Sequence, residues 1–257
     1  MSLLSRRLLG GSSHAWIQRQ IHDTFVKQAQ EQNFRNRAAF KLLQIDDKFS
    51  IFRKNSVVVD LGCYSGGWSQ VALQRSSAVG AFVVGVDVLK IEPLPSPHVF
   101  VQGDITNSEI RKKVIDQLKG KKADVVLSDM APSSCGVAID DHIKITDLNL
   151  KACEFMEDVI ALKGSFVMKT FYGPETKRLT SYLKSRFERV IGHKPAASRK
   201  ESRELFLVCS KYKARDKIAT EVSDTFRISK EGENRLPAEN SQREPQSVQG
   251  LNITKKP

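Results

Sequence analysis

At 257 residues, 40% of them hydrophobic, the chain is long enough to bury a full core and reads as one globular domain with extensions. No run approaches the roughly 18 apolar residues that cross a bilayer, so no membrane span is expected. The formal charge of +12 points to a polyanionic partner, and its distribution is uneven: Lys+Arg against Asp+Glu number 10 and 4 in residues 1–54, 10 and 14 in 55–162, and 11 and 3 in 163–203. Brought together, the two basic segments would form one cationic face beside a less basic pocket; apart, they are two solvated helical faces. Cys63, Cys135, Cys153 and Cys209 make no C-x-x-C pair and the five histidines are scattered, so a reduced compartment and no metal are expected.

In chain order, residues 1–22, "MSLLSRRLLGGSSHAWIQRQIH", hold Arg6, Arg7 and Arg19 and no acid, the composition of a mitochondrial transit peptide or of a basic RNA-contacting arm. "RNRAAFKLLQI" reads as a helix in which Lys41 shares a face with Ala38 and Ile45, its stem partly buried. "SVVVDLG" is a short β-branched strand; "DLGCYSGGW" (60–68) turns it into the helix "GWSQVALQRSS". Strands at "AFVVGVDVL" and "HVFVQGDIT" follow, then a helix "NSEIRKKVIDQLKG" capped by Asn107 or Ser108, and the strand "ADVVLSDMAP". A helix from about Asp147 to Leu162 leads into "GSFVMKTF", and "ERVIGHKP" and "ELFLVCSKY" read as paired strands across a polar connection. This alternation implies a doubly wound α/β fold with ligands at the carboxyl ends of its strands. The domain is expected over 23–213. From 214 to 257 the chain is polar, Pro- and Gln-containing and nearly charge-balanced, a tail expected to be disordered.

The glycines at 62, 66 and 67 permit close backbone approach but match neither a Walker loop, which needs a following lysine, nor the G-x-G-x-x-G fingerprint. Asp87 ends the next strand about 20 residues on, where a carboxylate accepts from ribose hydroxyls, and Asp104 ends the strand after that, where one can receive an adenine amino group. A ligand with a ribose and an adenine but no pyrophosphate fits this set, which favours S-adenosylmethionine over NAD. Either acid could equally cap a turn. Four more ionisable residues border apolar runs: Lys41, Asp129 after "VVLS", Lys169 after "SFVM" and Glu204 before "LFLVC". Singly, each has an ordinary reading as a snorkelling, capping or edge charge.

Taken together, "RNRAAFKLLQI", "VVVDLGCYSGGWSQVAL", "GVDVLKIEPL", "QGDIT", "ADVVLSDMAP", "FVMKTF" and "SRKESRELFLVCSKY" resemble, in order and over roughly residues 20–213, the FtsJ (RrmJ) family of RNA ribose 2′-O-methyltransferases. The resemblance implies a Rossmann-like methyltransferase fold, a seven-stranded, mostly parallel sheet with helices on both faces and an antiparallel terminal strand. It implies a catalytic tetrad at Lys41, Asp129, Lys169 and Glu204, with Lys169 taking or orienting the hydroxyl proton. S-adenosylmethionine is the implied cofactor, met by Ser65, Gly66, Gly67 and Trp68, with Asp87 on its ribose, Asp104 on its adenine and Asp129 near the methyl donor. Arg35, Arg37, Arg199, Lys200 and Arg203 become candidate phosphate contacts that position RNA without reading it.

Within the family the chain is similar to the mitochondrial branch, which implies a uridine in the A-loop of large-subunit rRNA as target, the assembling large subunit as partner and the matrix as location. A tRNA or mRNA-cap 2′-O-methyltransferase, and a non-catalytic RNA-binding assembly factor, are the alternatives. An NAD-dependent dehydrogenase is disfavoured by the glycine spacing. One departure stands out: relatives commonly carry Ala-Ala-Pro where this chain has Cys63, Tyr64 and Ser65, which predicts a looser cofactor turn and asks where the Tyr64 ring goes.

Overall fold

The computed structural model describes residues 23–77, 80–132 and 138–213; the expected leader (1–22), the expected tail (214–257) and Cys135 lie outside the described residues. The order is α1 (Thr24–Glu31), α2 (Ala39–Phe49), β1 (Val57–Leu61), α3 (Gly67–Arg75), β2 (Phe82–Asp87), β3 (His98–Gln102), α4 (Ser108–Gln117), β4 (Ala123–Ser128), α5 (Ala138–Val159), β5 (Ile160–Phe171), α6 (Thr176–Arg186), β6 (Phe187–His193) and β7 (Glu204–Tyr212). All seven strands join one sheet in the order β3-β2-β1-β4-β5-β7-β6. β3, β2, β1, β4 and β5 are parallel, and β7 runs antiparallel to both β5 and β6. This is the Rossmann-like methyltransferase sheet expected from the sequence. Among the described residues no helix is long and apolar enough to cross a membrane.

Both faces of the sheet are covered because the strands are apolar at successive positions, not alternate ones. On one face Val57, Val59, Leu61, Phe166, Met168, Leu207 and Cys209 pack under Val114 of α4, Phe155 and Met156 of α5, and Leu179 and Leu183 of α6. On the other, Val58, Val125, Val167, Phe206 and Val208 pack under Ala39, Leu42 and Ile45 of α2 and Trp68, Val71 and Ala72 of α3. Strand alternation therefore assigns Lys169, two beyond Val167, and Glu204, two before Phe206, to the face that α2 covers.

Three elements differ from the expected pattern. The helix placed at about 147–162 runs from Ala138 to Val159, because Ile160 already pairs with Ala123 and β5 starts there through an irregular register before Ser165 pairs with Val125. The polar stretch 176–186 is a helix held by Leu179, Tyr182 and Leu183, an i, i+3, i+4 stripe. Thr24–Glu31 is a further helix, N-capped by Asp23, whose carboxylate accepts from Phe25 N–H at 3.1 Å.

Candidate active site

Four ionisable side chains meet at the carboxyl edge of the parallel strands as two ion pairs. Lys41 Nζ on α2 donates to Glu204 Oε2 at 2.7 Å, with 12% and 10% of the two side chains exposed, and lies 5.6 Å from the centre of the Phe206 ring. Lys169 Nζ lies 2.7 Å from Asp129 Oδ1 and donates to the Asp129 carbonyl at 2.6 Å. One N–H group of Lys169 is thus engaged by the carbonyl, and its ammonium stays at ion-pair distance from the carboxylate, with donors left for an oxygen brought into the site. Asp129 is itself pinned to β1, its N–H donating to Leu61 O at 3.2 Å. At Glu204 burial pushes the carboxyl up, but the charge and hydrogen bond of Lys41 and the charge of Lys169 oppose it, and the net direction is below the ordinary value.

The glycine turn lies beside this pair of pairs. Gly62 has φ +75°, and a Cβ there would stand 2.7 Å from Met130 Cγ; Gly66 has φ +106°, and a Cβ there would stand 2.8 Å from Arg35 Nη1. The room freed on those sides is thus taken by the protein's own chain, Met130 on one flank and Arg35 on the other. Arg35 donates to the carbonyls of Ser65 (3.2 Å), Glu92 (2.6 Å) and Pro93 (2.7 Å), and Asn36 Nδ2 to Ser65 Oγ at 3.2 Å. Ser65 is therefore tied at both its carbonyl and its hydroxyl, against the expectation of a looser turn. The Tyr64–Ser65 peptide bond is cis. Tyr64 points out, 56% exposed, so its ring needs no interior space.

Asp87 accepts from the N–H groups of Tyr64 (2.9 Å) and Leu89 (2.8 Å), and Asp104 from Thr106 N–H (2.8 Å). Each carboxylate is held by backbone and keeps unused acceptor positions. Trp68, counted with the cofactor side by resemblance, is buried in the core, its ring beside Phe206 and its indole N–H donating to Ala38 O at 2.8 Å. Beneath the turn Asp60 is fully buried, one oxygen accepting from Ser69 Oγ at 2.7 Å. Burial pushes its carboxyl up to about 7; Ser69 opposes this, while Asp129 and Asp87 add to it.

Residues 34–212 match the family model described as FtsJ-like methyltransferase. The chain belongs to the FtsJ-like methyltransferase family. It is similar to the ribosomal RNA large subunit methyltransferase E of Granulibacter bethesdensis, 44% identical over 202 residues that make up 79% of this chain and 86% of that protein. The protein of the same name in Caulobacter vibrioides is 41% identical over 204 residues, 79% and 88% of the two chains. The solved structure of a ribosomal RNA methyltransferase from Plasmodium falciparum aligns with a TM-score of 0.64 at 35% identity, covering 71% of this chain and 100% of that one.

In this FtsJ-like methyltransferase the five cations expected to face RNA divide into two groups. Arg35 is spent on the three carbonyls above. Arg37 donates to Ala197 O at 2.5 Å and, with Arg199, converges on Asp23 at 3.1 and 3.5 Å. Lys200 and Arg203 are exposed. Sequence reasoning passed over Asp60, although an acid inside an apolar strand is itself a signal. It also passed over Val88 and Leu89, both more than half exposed directly after Asp87, where they offer an apolar surface beside its carboxylate.

Proposed function

We propose that this protein transfers a methyl group from S-adenosylmethionine to a ribose 2′-hydroxyl of large-subunit rRNA, at a uridine of the A-loop in the mitochondrial ribosome. The observation that carries the chemistry is the Lys169–Asp129 pair, set at the end of β4 and β5 beside the glycine turn. The residues around that turn suit the cofactor. Asp87 and Asp104 keep free acceptor positions for hydroxyl and amino groups, Val88 and Leu89 present an apolar face, and the turn carries no lysine to meet a pyrophosphate. When bound, S-adenosylmethionine supplies an electrophilic methyl group.

A ribose hydroxyl is a poor nucleophile near neutral pH, and displacement at a methyl carbon demands an in-line approach, so the protein's task is positioning. Lys169, held by the carbonyl and the carboxylate charge of Asp129, presents a further N–H to the 2′-oxygen and sets the direction of its lone pair. Lys41 and Glu204 lock each other across α2 and β7 and keep the wall of the site in place. The names of the bacterial relatives support a large-subunit rRNA substrate, and the Arg-rich, acid-free residues 1–22 support import into the mitochondrial matrix. Lys169→Met should keep cofactor affinity by calorimetry and lose roughly 100-fold or more in methyl transfer to rRNA. Undiminished transfer refutes the role of Lys169. Ribose-methylation mapping after depletion of the protein tests the target, and an unaltered A-loop uridine refutes it.

A further inference from the structure

Asp23, Arg37 and Arg199 come from three separate parts of the chain and meet at one oxygen. Asp23 stands at the N-cap of α1, where its Oδ1 accepts from Phe25 N–H at 3.1 Å. Its other oxygen, Oδ2, lies 3.1 Å from Arg37 Nε and 3.5 Å from Arg199 Nε, the three side chains being 10%, 15% and 27% exposed. Arg37 sits one turn ahead of Lys41, with Phe40 N–H donating to its carbonyl at 3.2 Å. Arg199 is carried by the connection from β6 to β7, and that connection is braced. Ala197 accepts from Arg37 Nη2 and donates to Gln44 Oε1 at 2.8 Å, Ser202 N–H donates to Arg199 O at 3.1 Å, and Lys194 Nζ donates to Ser202 O at 2.6 Å. Burial pushes the Arg37 guanidinium below its ordinary value and the charge of Arg199 adds to this, while Asp23, Glu204 and the exposed Glu201 oppose it. The cluster thus stands within electrostatic reach of the tetrad glutamate.

We propose that Asp23 gathers Arg37 and Arg199 into a site for one backbone phosphate of the substrate RNA. Two guanidinium groups against one carboxylate leave one positive charge over, because Glu204 is already matched by Lys41 and the charge of Glu201 lies out in screening solvent. One phosphodiester supplies that missing charge. Donors remain for it: Nη1 of Arg37 and both Nη groups of Arg199 have no acceptor among the described residues, and planar guanidinium forks match phosphate oxygens. Held on a carboxylate, the two like charges are already together when RNA arrives, which lowers the ordering cost of binding. Asp23 is therefore a positioning residue, and attachment to it organises the arginines without using up their donors. This assignment rests on the RNA methyl transfer proposed above.

The sign of one substitution tests it. Asp23→Asn keeps an equally good N-cap for α1 and raises the net charge by one, which by itself would tighten binding to a polyanion. In steady-state methyl transfer to naked large-subunit rRNA by the full-length protein, it should instead raise KM for RNA about tenfold, through lost charge-assisted bonds, and flatten the slope of log KM against log salt by about one. Arg199→Met should do the same, and the double variant should be little worse than either. As a control, Asp116→Asn removes an acid 59% exposed on α4, across the sheet from α2, and should not raise KM. S-adenosylmethionine affinity should hold in every variant. If wild type transfers no methyl to RNA, the functional reading falls and this one with it. If wild type is active and Asp23→Asn leaves KM unchanged or lowers it, the phosphate site is refuted while the functional reading stands. A rise in KM with an unchanged salt slope, an Arg199→Met variant that matches wild type, or an equal rise in Asp116→Asn also refutes it.

Discussion

Removing Lys41 and Glu204 together should cost far less stability than removing either alone. At 2.7 Å and an effective dielectric near 20 the attraction between the two charges is about 6 kcal/mol, and it offsets the several kcal/mol needed to take each ion out of water. Lys41→Met deletes the attraction but leaves a carboxylate side chain only 10% exposed, so a loss of about 3 kcal/mol is expected. Glu204→Leu should cost about the same by stranding the ammonium. In the double variant both the attraction and the desolvation vanish, and a loss within about 1 kcal/mol of wild type follows, a coupling on the order of 5 kcal/mol. Urea unfolding of the four proteins measures it, with the m-value as the check that each unfolds alike. Methyl transfer should stay lost in the double variant although stability returns. Single-variant losses that simply add, with a coupling under about 0.5 kcal/mol, would refute the buried pair described here.

Two further outcomes follow from the turn and the acid beneath it. The raised Asp60 carboxyl lets the folded protein hold a proton that the unfolded chain releases, so its stabilising contribution is complete below 3.8 and is lost as pH rises through about 7. Asp60→Asn should therefore gain stability relative to wild type across that window, by at most about 4 kcal/mol, and parallel pH profiles of the two proteins by thermal unfolding would contradict it. Arg35→Ala frees the carbonyls of Ser65, Glu92 and Pro93 and should weaken S-adenosylmethionine binding about tenfold by calorimetry, without requiring any change in the tetrad. Unchanged affinity would show that the turn holds its shape without that clamp.

The strands and the turn were legible because their signals are local. "VVVDLG" followed by glycines is a strand and a tight exit whatever surrounds it, and Asn107 caps α4 through Glu109 N–H as its sequence position suggests. The tetrad was legible only by resemblance, since Lys41 and Glu204 are 163 residues apart and nothing local announces their contact. Which lysine meets which carboxylate was not legible at all. It depends on the register of Phe171 opposite Glu204 and on the angle at which α2 crosses the sheet. Arg35 and Arg37 illustrate the same limit: close to Lys41 in sequence they read as contacts for RNA phosphates, yet both are drawn into carbonyls of the chain itself and, for Arg37, the carboxylate of Asp23. The end of α5 was misjudged because Ile160 to Lys163 has helical propensity in isolation and is claimed by pairing with β4.

The reversal of β7 sets the timing of assembly. An antiparallel strand begins where its parallel neighbours end, and so its first residue, Glu204, arrives at the edge that carries Asp129 and Lys169 after those two and Lys41 have left the ribosome. Until that strand inserts between β5 and β6, Lys41 has no carboxylate at its Nζ and the site has no closing wall. Competence is thus tied to completion of the domain, and a chain interrupted before residue 204 would carry the glycine turn, Asp129 and Lys169 without the partner that holds Lys41.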